Sequence, residues 1–323
     1  MKTRSVHRAL PRRRFLQLSV GTAVLAGAGR SSCLRAASAP AVSSPFKLRY
    51  VLSTNQYGTL PIADILPEVQ RAGCEGLDVW AGRWGNQREQ IDAMGHDAFA
   101  ALLARHRVGV STYTCMDPGF LKAGPHLKAM KAFGGNMVVA GFGGGGPGAN
   151  DLRGDDLRRA IRAQVERLKP AFDLAGEQGV KLAIENHLNS LLETPDSLPM
   201  LADAISASHV GVAFAPFHLP QDAALLGRLV GDLGDRLFYY YAWQYGDGSG
   251  NLPPAAQKQQ LPGVGPLDFA PMLAALKRHR FNGWTSVFMH PTPRGSPLHQ
   301  SIPAVTAELN RARAHLERLV AAL

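Results

Sequence analysis

Cysteine is nearly absent from this 323-residue chain. Only Cys33, Cys74 and Cys115 occur, and nothing in the sequence supports a disulfide between them. Cys74 and Cys115 sit in or beside apolar runs, where a cysteine is ordinarily a packing residue. Long apolar runs are missing too. The uncharged stretch 16–29 is shorter than the ~20 residues a membrane span needs, and no later segment reaches that length, so no stable membrane anchor is expected. Acidic residues are missing from positions 1–39, which hold Lys2, Arg4, Arg8, Arg12, Arg13, Arg14, Arg30 and Arg35. That stretch therefore carries +8 of the formal +10 and leaves about +2 for the remainder. A nearly neutral remainder removes the main argument for a nucleic-acid partner. Also missing is a phosphate-binding loop: the Gly-rich run at 141–146 has neither a Lys nor the spaced dinucleotide pattern, so it reads as a flexible loop.

What is present begins with a leader. A charged start, the small-residue apolar run and Ala36-Ala37-Ser38-Ala39 have the layout of an export signal. Within it, Arg12-Arg13-Arg14-Phe15-Leu16 resembles the twin-arginine signal. That resemblance implies a partner in the twin-arginine export machinery, a periplasmic or extracytoplasmic location, and export in the folded state, often with a metal or cofactor already inserted. The expected organisation is a signal over 1–39, a linker over 40–45 and a single domain over 46–323.

From Phe46 onward one unit repeats: a short β-branched or aromatic run, a Gly- or Pro-marked loop, then an amphipathic stretch. The strand runs are 48–52, 76–80, 109–113, 137–140, 181–185, 211–214, 237–241 and 284–288. The helical stretches are 62–72, 97–105, 125–133, 157–178, 197–205, 223–233, 269–278 and 302–320. Eight such units in about 280 residues predict an α/β fold, a (β/α)8 TIM barrel, with a doubly wound open sheet as the alternative. In a barrel the chemistry gathers where strands end, which directs attention to those positions.

The fifth run ends Leu182-Ala183-Ile184-Glu185-Asn186-His187. Glu185 and His187 share strand parity, and a carboxylate closing an apolar strand must be paired or bind a cation. The alternative for Glu185 is an internal ion pair. His218 follows the sixth run. On the seventh, Tyr239, Tyr241 and Trp243 offer hydroxyls and flat faces suited to sugars, with ordinary barrel packing as the alternative; Gln244 follows. The eighth leads to His290 and Arg294, where a ligand or an anion-binding group fits. On the second, Asp78 and Trp80 share a face and complete the candidate substrate contacts.

These residues together resemble the xylose isomerase-like TIM barrels, the sugar phosphate isomerase/epimerase superfamily. The resemblance spans about 46–320 and rests on Gly73-Cys74-Glu75-Gly76-Leu77-Asp78, Leu182–His187, the Val210–Phe214 run leading to His218, Gly263-Val264-Gly265-Pro266-Leu267-Asp268-Phe269 and Phe281-Asn282-Gly283-Trp284. It implies one divalent metal (Mn, Zn, Co or Mg) held by Glu, Asp, His and Glu at the ends of strands five to eight. Glu185 matches the first ligand and His218 the substrate-side His. Ala215 and Phe288 stand where two further ligands belong, and Trp243-Gln244 where the metal His belongs. A rearranged metal set of Glu185, His218, Gln244 and His290 is the expectation, with Glu185, His218 and His290 catalytic and Asp78, Trp80, His187, Tyr239, Tyr241, Trp243 and Arg294 on the substrate.

With Phe288 replacing a carboxylate, epimerisation by two opposed bases loses one of them. The leading expectation is therefore an exported sugar isomerase/epimerase-like enzyme that abstracts a proton next to a carbonyl of a free or oxidised saccharide. A 3-keto-glycoside-type lyase or hydratase of the same fold and a non-catalytic carbohydrate-binding barrel are the alternatives. A DNA-repair endonuclease ranks below both, since it needs a fuller ligand set and more positive charge.

Overall fold

A computed structural model describes residues 45–116, 119–122, 124–145, 151–246 and 254–323. The expected export signal lies outside the described residues. Eight strands, β1 (Arg49–Ser53), β2 (Gly76–Trp80), β3 (Val110–Thr114), β4 (Met137–Gly141), β5 (Lys181–Glu185), β6 (Val210–Phe214), β7 (Leu237–Ala242) and β8 (Trp284–Val287), pair in parallel in chain order. β8 returns to β1 through Arg49–Trp284 and Tyr50–Thr285, closing the barrel. Closure excludes the open doubly wound sheet. Among the described residues, no helix is long and apolar enough to cross a membrane.

The strands are buried on both faces, as β2, β6 and β7 are along their whole length, because helices cover the outside and side chains fill the inside. The helices are α1 (Ile62–Arg71), α2 (Gln87–Met94), α3 (His96–His106), α4 (Gly124–Ala132), α5 (Gly154–Gln178), α6 (Ser197–Ala204), α7 (Ala223–Leu233), α8 (Pro254–Gln257), α9 (Ala270–Arg278) and α10 (Ile302–Ala322). In α1 the buried residues Ile62, Ile65, Leu66 and Val69 recur at helical spacing and form one stripe. Burying each of them fully stabilises the fold by about 1.5–3 kcal/mol. The chain leaves α1 through Gly73 at φ 66° and α5 through Gly179 at φ 67°, the left-handed conformation glycine adopts without strain.

The sequence reading misses α2, whose buried residues are only Gln87 and Ile91, too few to make a visible period. β3 starts one residue later than expected and β6 one earlier. β8 ends at Val287, so Phe288 belongs to the loop that follows. Cys74 and Cys115 are both free.

Within the barrel, strand parity brings a polar cluster together at mid-height around Asp78, the third residue of β2. Its Oδ2 accepts from Ser53 Oγ at 2.6 Å, Trp80 Nε1 at 2.8 Å and Tyr239 OH at 3.1 Å, and its Oδ1 accepts from Thr114 Oγ1 at 2.8 Å. Burial raises the proton affinity of this carboxyl, and the bonds from Ser53, Thr114 and Trp80 pull it down. Asp78 is fully enclosed, so it ties four strands together and does not face a substrate, contrary to the sequence expectation.

Candidate active site

Glu185 is the last residue of β5 and opens onto the C-terminal mouth. Glu185, His187 and His218 each bring a ligand atom within 4.8 Å of the others. Glu185 Oε1 stands 3.7 Å from His218 Nε2, and the two imidazoles lie 4.1 Å apart between ring centres. His187 reaches this group because it follows Glu185 by two residues. His218 arrives on a short 3-10 turn, Pro216–His218, after β6. That turn is held by Asn186, whose Nδ2 donates to Ala215 O at 3.0 Å while its Oδ1 accepts from Ala215 N at 2.8 Å. Asn186 escaped the sequence reading. The Glu-Asn-His order was the available signal, since parity turns its middle residue toward the neighbouring strand.

The polar atoms of this group are unsatisfied. Glu185 Oε2, both ring nitrogens of His218 and the hydroxyl of Tyr241 are buried without a hydrogen-bond partner among the described residues. A buried polar group left unpaired costs about 1–3 kcal/mol, so unpaired atoms on the neighbouring Glu185 and His218 mark a place for a ligand. The His187 ring bonds the carbonyl of Leu188 at 2.7 Å through Nδ1, which makes Nδ1 the protonated nitrogen and leaves the Nε2 lone pair for the cluster. One carboxylate and two imidazoles are the donor types that divalent transition metals take, so the residues present fit such an ion.

Electrostatics keeps the group nearly uncharged. Burial raises the Glu185 carboxyl to about 7, against the lowering effects of His187 and the nearby Tyr241 hydroxyl. His218 is pushed down to about 3 by burial and by the charge of Arg294. Burial and His218 lower His187, and burial and Arg294 take His290 well below the ordinary histidine range. Both His218 and His290 are therefore neutral near pH 7 and are not imidazolium proton donors.

The remaining expected residues take other positions. Gln244 Nε2 donates to Leu261 O at 2.9 Å and its Oε1 accepts from Leu267 N at 2.8 Å, so both ends of this amide are committed to backbone rather than to a metal. Gly265 permits this: a Cβ there would stand 2.0 Å from Gln259 O and 2.5 Å from Gln244 Oε1. Tyr239 lies deep, bonded to Asp78, and Trp80 bonds Asp78 and stacks on Phe288 at 5.4 Å. Tyr239 does not meet the mouth as expected, because parity fixes the face a strand residue takes but not its depth, whereas Trp80, the last residue of β2, packs with Trp84 and His290 at the strand ends. Trp243 packs flat on Phe217 at 4.0 Å and donates to Gln260 at 2.9 Å. His290 lies beyond it, 5.1 Å from the Trp243 ring and 4.7 Å from that of Trp84, outside the Glu185 cluster. Arg294 sits 4.0 Å over Trp84. Trp84 was not foreseen, although a Trp just past the end of β2 lies where barrel ligands bind.

The opposite, N-terminal face carries a depression of about 380 Å³ lined by the first residues of five strands, Arg49, Met137, Lys181, Leu237 and Trp284. Two of its cations are engaged: Arg49 pairs with Glu75 at 2.9 Å and lies 4.1 Å over Trp284, and Lys181 lies 5.1 Å over Phe238. In barrels that face serves stability.

Residues 66–315 match the family described as xylose isomerase-like TIM barrel, and the chain belongs to that family. Among solved structures it is similar to the IolI protein with a bound zinc atom, with 15% identity and a TM-score of 0.64, covering 83% of this chain and 98% of that one. It is similar to the probable 3-DHS dehydratase AsbF from Bacillus anthracis, with 14% identity and a TM-score of 0.61 over 81% of this chain and 97% of that one. It also resembles a D-allulose 3-epimerase from Methylomonas sp., with 16% identity and a TM-score of 0.58 over 83% and 97%. Comparison with curated proteins gives no match.

Proposed function

We propose that this chain is a carbohydrate-modifying enzyme that removes a proton from a carbon next to a carbonyl, in an isomerisation or an elimination, at the mouth built by Glu185, His187 and His218. The observation that carries this is the set of buried, unpartnered polar atoms on Glu185, His218 and Tyr241. Glu185 is the base. With no cation bound, burial raises its carboxyl to about 7, where it can both take and return a proton near neutral pH. His187 and His218, neutral by virtue of burial, accept a hydrogen or ligate through a lone pair. The Tyr241 hydroxyl stands beside Glu185 to orient a substrate oxygen. Glu185, His187 and His218 would hold a divalent cation, which when bound supplies Lewis-acid polarisation of a sugar carbonyl.

Two-base epimerisation is disfavoured. Among the described residues Glu185 is the one acid of the cluster, Asp78 is bonded to Ser53, Thr114, Trp80 and Tyr239, and Phe288, where the resemblance implies a second acid, places a ring 4.9 Å from those of Tyr241 and Trp243. The proton therefore leaves and returns on one side, or leaves with elimination of a neighbouring group. The epimerase and dehydratase among the similar structures lend support. The proposal includes export to the periplasm, on the strength of Arg12-Arg13-Arg14-Phe15-Leu16 alone.

The test is incubation with a panel of aldoses, ketoses and oxidised glycosides in deuterated water. Exchange at one carbon-bound position, lost in Glu185→Gln, is the expected result. No exchange across the panel, with sugars still bound, would leave the carbohydrate-binding barrel as the better reading.

A further inference from the structure

Resting on the reading just given, we infer that Gly141 is a specificity-determining residue: the side chain it lacks leaves the space beside Glu185 through which a C–H edge of the sugar reaches the base. Gly141, which the sequence presents as the start of a flexible loop, closes β4. It is in register with Glu185 across the β4–β5 pair, so the two residues turn to the same side of the sheet, about 4.8 Å apart. That side is the barrel interior. Val139, two residues before Gly141, pairs with Thr114, whose hydroxyl reaches Asp78 inside the barrel. On the opposite flank of Glu185, His218 Nε2 stands 3.7 Å from Oε1. The flank left without a side chain is that of Gly141.

The fold does not ask for a glycine at this position. Gly76 in β2 and Gly211 in β6 have packing reasons, since a Cβ on the first would collide with Ser111 Oγ and one on the second would stand 2.5 Å from Arg236 O. Further along the glycine run, Gly143 and Gly144 take φ 72°, and a Cβ on Gly145 would collide with Asn189 O. Gly141 has none of these reasons. Its φ is not left-handed, and among the described residues a Cβ there would meet only Met116 Cε, at 3.5 Å, an ordinary contact. A glycine inside a strand is less stable than alanine, and where packing does not explain it, it marks a close approach by a ligand. The space is bounded by the Met116 methyl and the Gly141 backbone, with Val139 one layer below. Apolar walls of this kind receive carbon-bound hydrogens and give a sugar hydroxyl no partner.

The experiment compares the full chain with Gly141→Ala, Gly141→Val and Gly109→Ala, the last at a glycine ahead of β3 whose Cβ would meet nothing within 4 Å among the described residues. Melting temperature, Zn²⁺ affinity, sugar dissociation constants and deuterium exchange are measured on the panel of aldoses, ketoses and oxidised glycosides. Gly141→Ala and Gly109→Ala should melt no lower than the parent and bind Zn²⁺ as it does. Gly141→Ala should lower kcat/KM for exchange about ten-fold or more, as one misplaced methyl in a fitted pocket does. Gly141→Val should lower it further, and Gly109→Ala should leave it unchanged. A sugar that binds without exchanging should lose affinity in the same order. Parent-like binding and exchange in Gly141→Ala overturns the inference. A loss accompanied by a lower melting temperature or weaker Zn²⁺ binding overturns it too, because the glycine is then structural. Sugars that bind the parent without exchange overturn proton abstraction alone, since the binding series still reads the space at Gly141. Failure of every sugar to bind the parent overturns both.

Discussion

Two carboxylates are buried in this barrel, Asp78 at mid-height and Glu185 at the mouth, and their surroundings differ in kind. Asp78 accepts four hydrogen bonds from Ser53, Thr114, Trp80 and Tyr239. Glu185 keeps one oxygen without a partner, beside two imidazoles, one of which has no hydrogen-bond partner at either ring nitrogen. Burial alone raises the proton affinity of both, so it does not separate a structural acid from a functional one. Hydrogen-bond satisfaction does. A carboxylate with its donors built in is finished when the chain folds, whereas Glu185 is completed only by something that arrives later.

The largest effect should come from removing the finished group. Asp78→Ala strands four buried donors and should destabilise the protein by about 3–5 kcal/mol in urea unfolding. Glu185→Gln should do the reverse in metal-free protein. Because the folded carboxyl titrates near 7 against an ordinary 4.5, its proton stabilises the fold in acid, and that contribution is lost as pH rises from 4.5 through 7. At pH 8 the variant should therefore be more stable than the parent, by on the order of 2 kcal/mol, and near parity at pH 4.5. Destabilisation at pH 8 comparable to Asp78→Ala would make Glu185 a structural acid and end the contrast.

His218 supplies the opposite slope. Its pKa is depressed to about 3 from 6.5, so its contribution is full above 6.5 and is lost as pH falls toward 3. His218→Gln should flatten the acid limb of the stability curve between those values; an unchanged limb would place its cause elsewhere. Asn186→Ala removes both bonds to Ala215 and should cost about 1–3 kcal/mol, and it should weaken metal binding by loosening the turn that carries His218. If affinity is unchanged, that turn holds itself. The smallest effect is expected from Arg294→Gln, at an exposed side chain, which should alter stability by less than about 0.5 kcal/mol.

The same contrast explains how much could be read from the sequence. Eight strand runs, to within a residue at their ends, and the place of Glu185 at the end of the fifth were legible, because period and turn residues are local properties. The depth of Asp78 and Tyr239 was not. It depends on the stagger between strands, including register shifts at Leu77/Asp78 and Val212/Ala213, which no single run records. Gln244 misled because its neighbours, the backbone of Leu261 and Leu267, lie 17 and 23 residues further along. The expected metal set left His187 out, and its place beside Glu185 and His218 emerges only once the rings are placed together.

The central claim is that Glu185, His187 and His218 form a cation site while Asp78 does not. Calorimetric titration of metal-stripped protein with Zn²⁺ and with Mn²⁺ addresses it directly. One saturable equivalent should bind to the parent and to Asp78→Asn, and none to Glu185→Gln or His218→Ala. Absence of saturable binding in the parent, or binding that survives both latter substitutions, would contradict the claim.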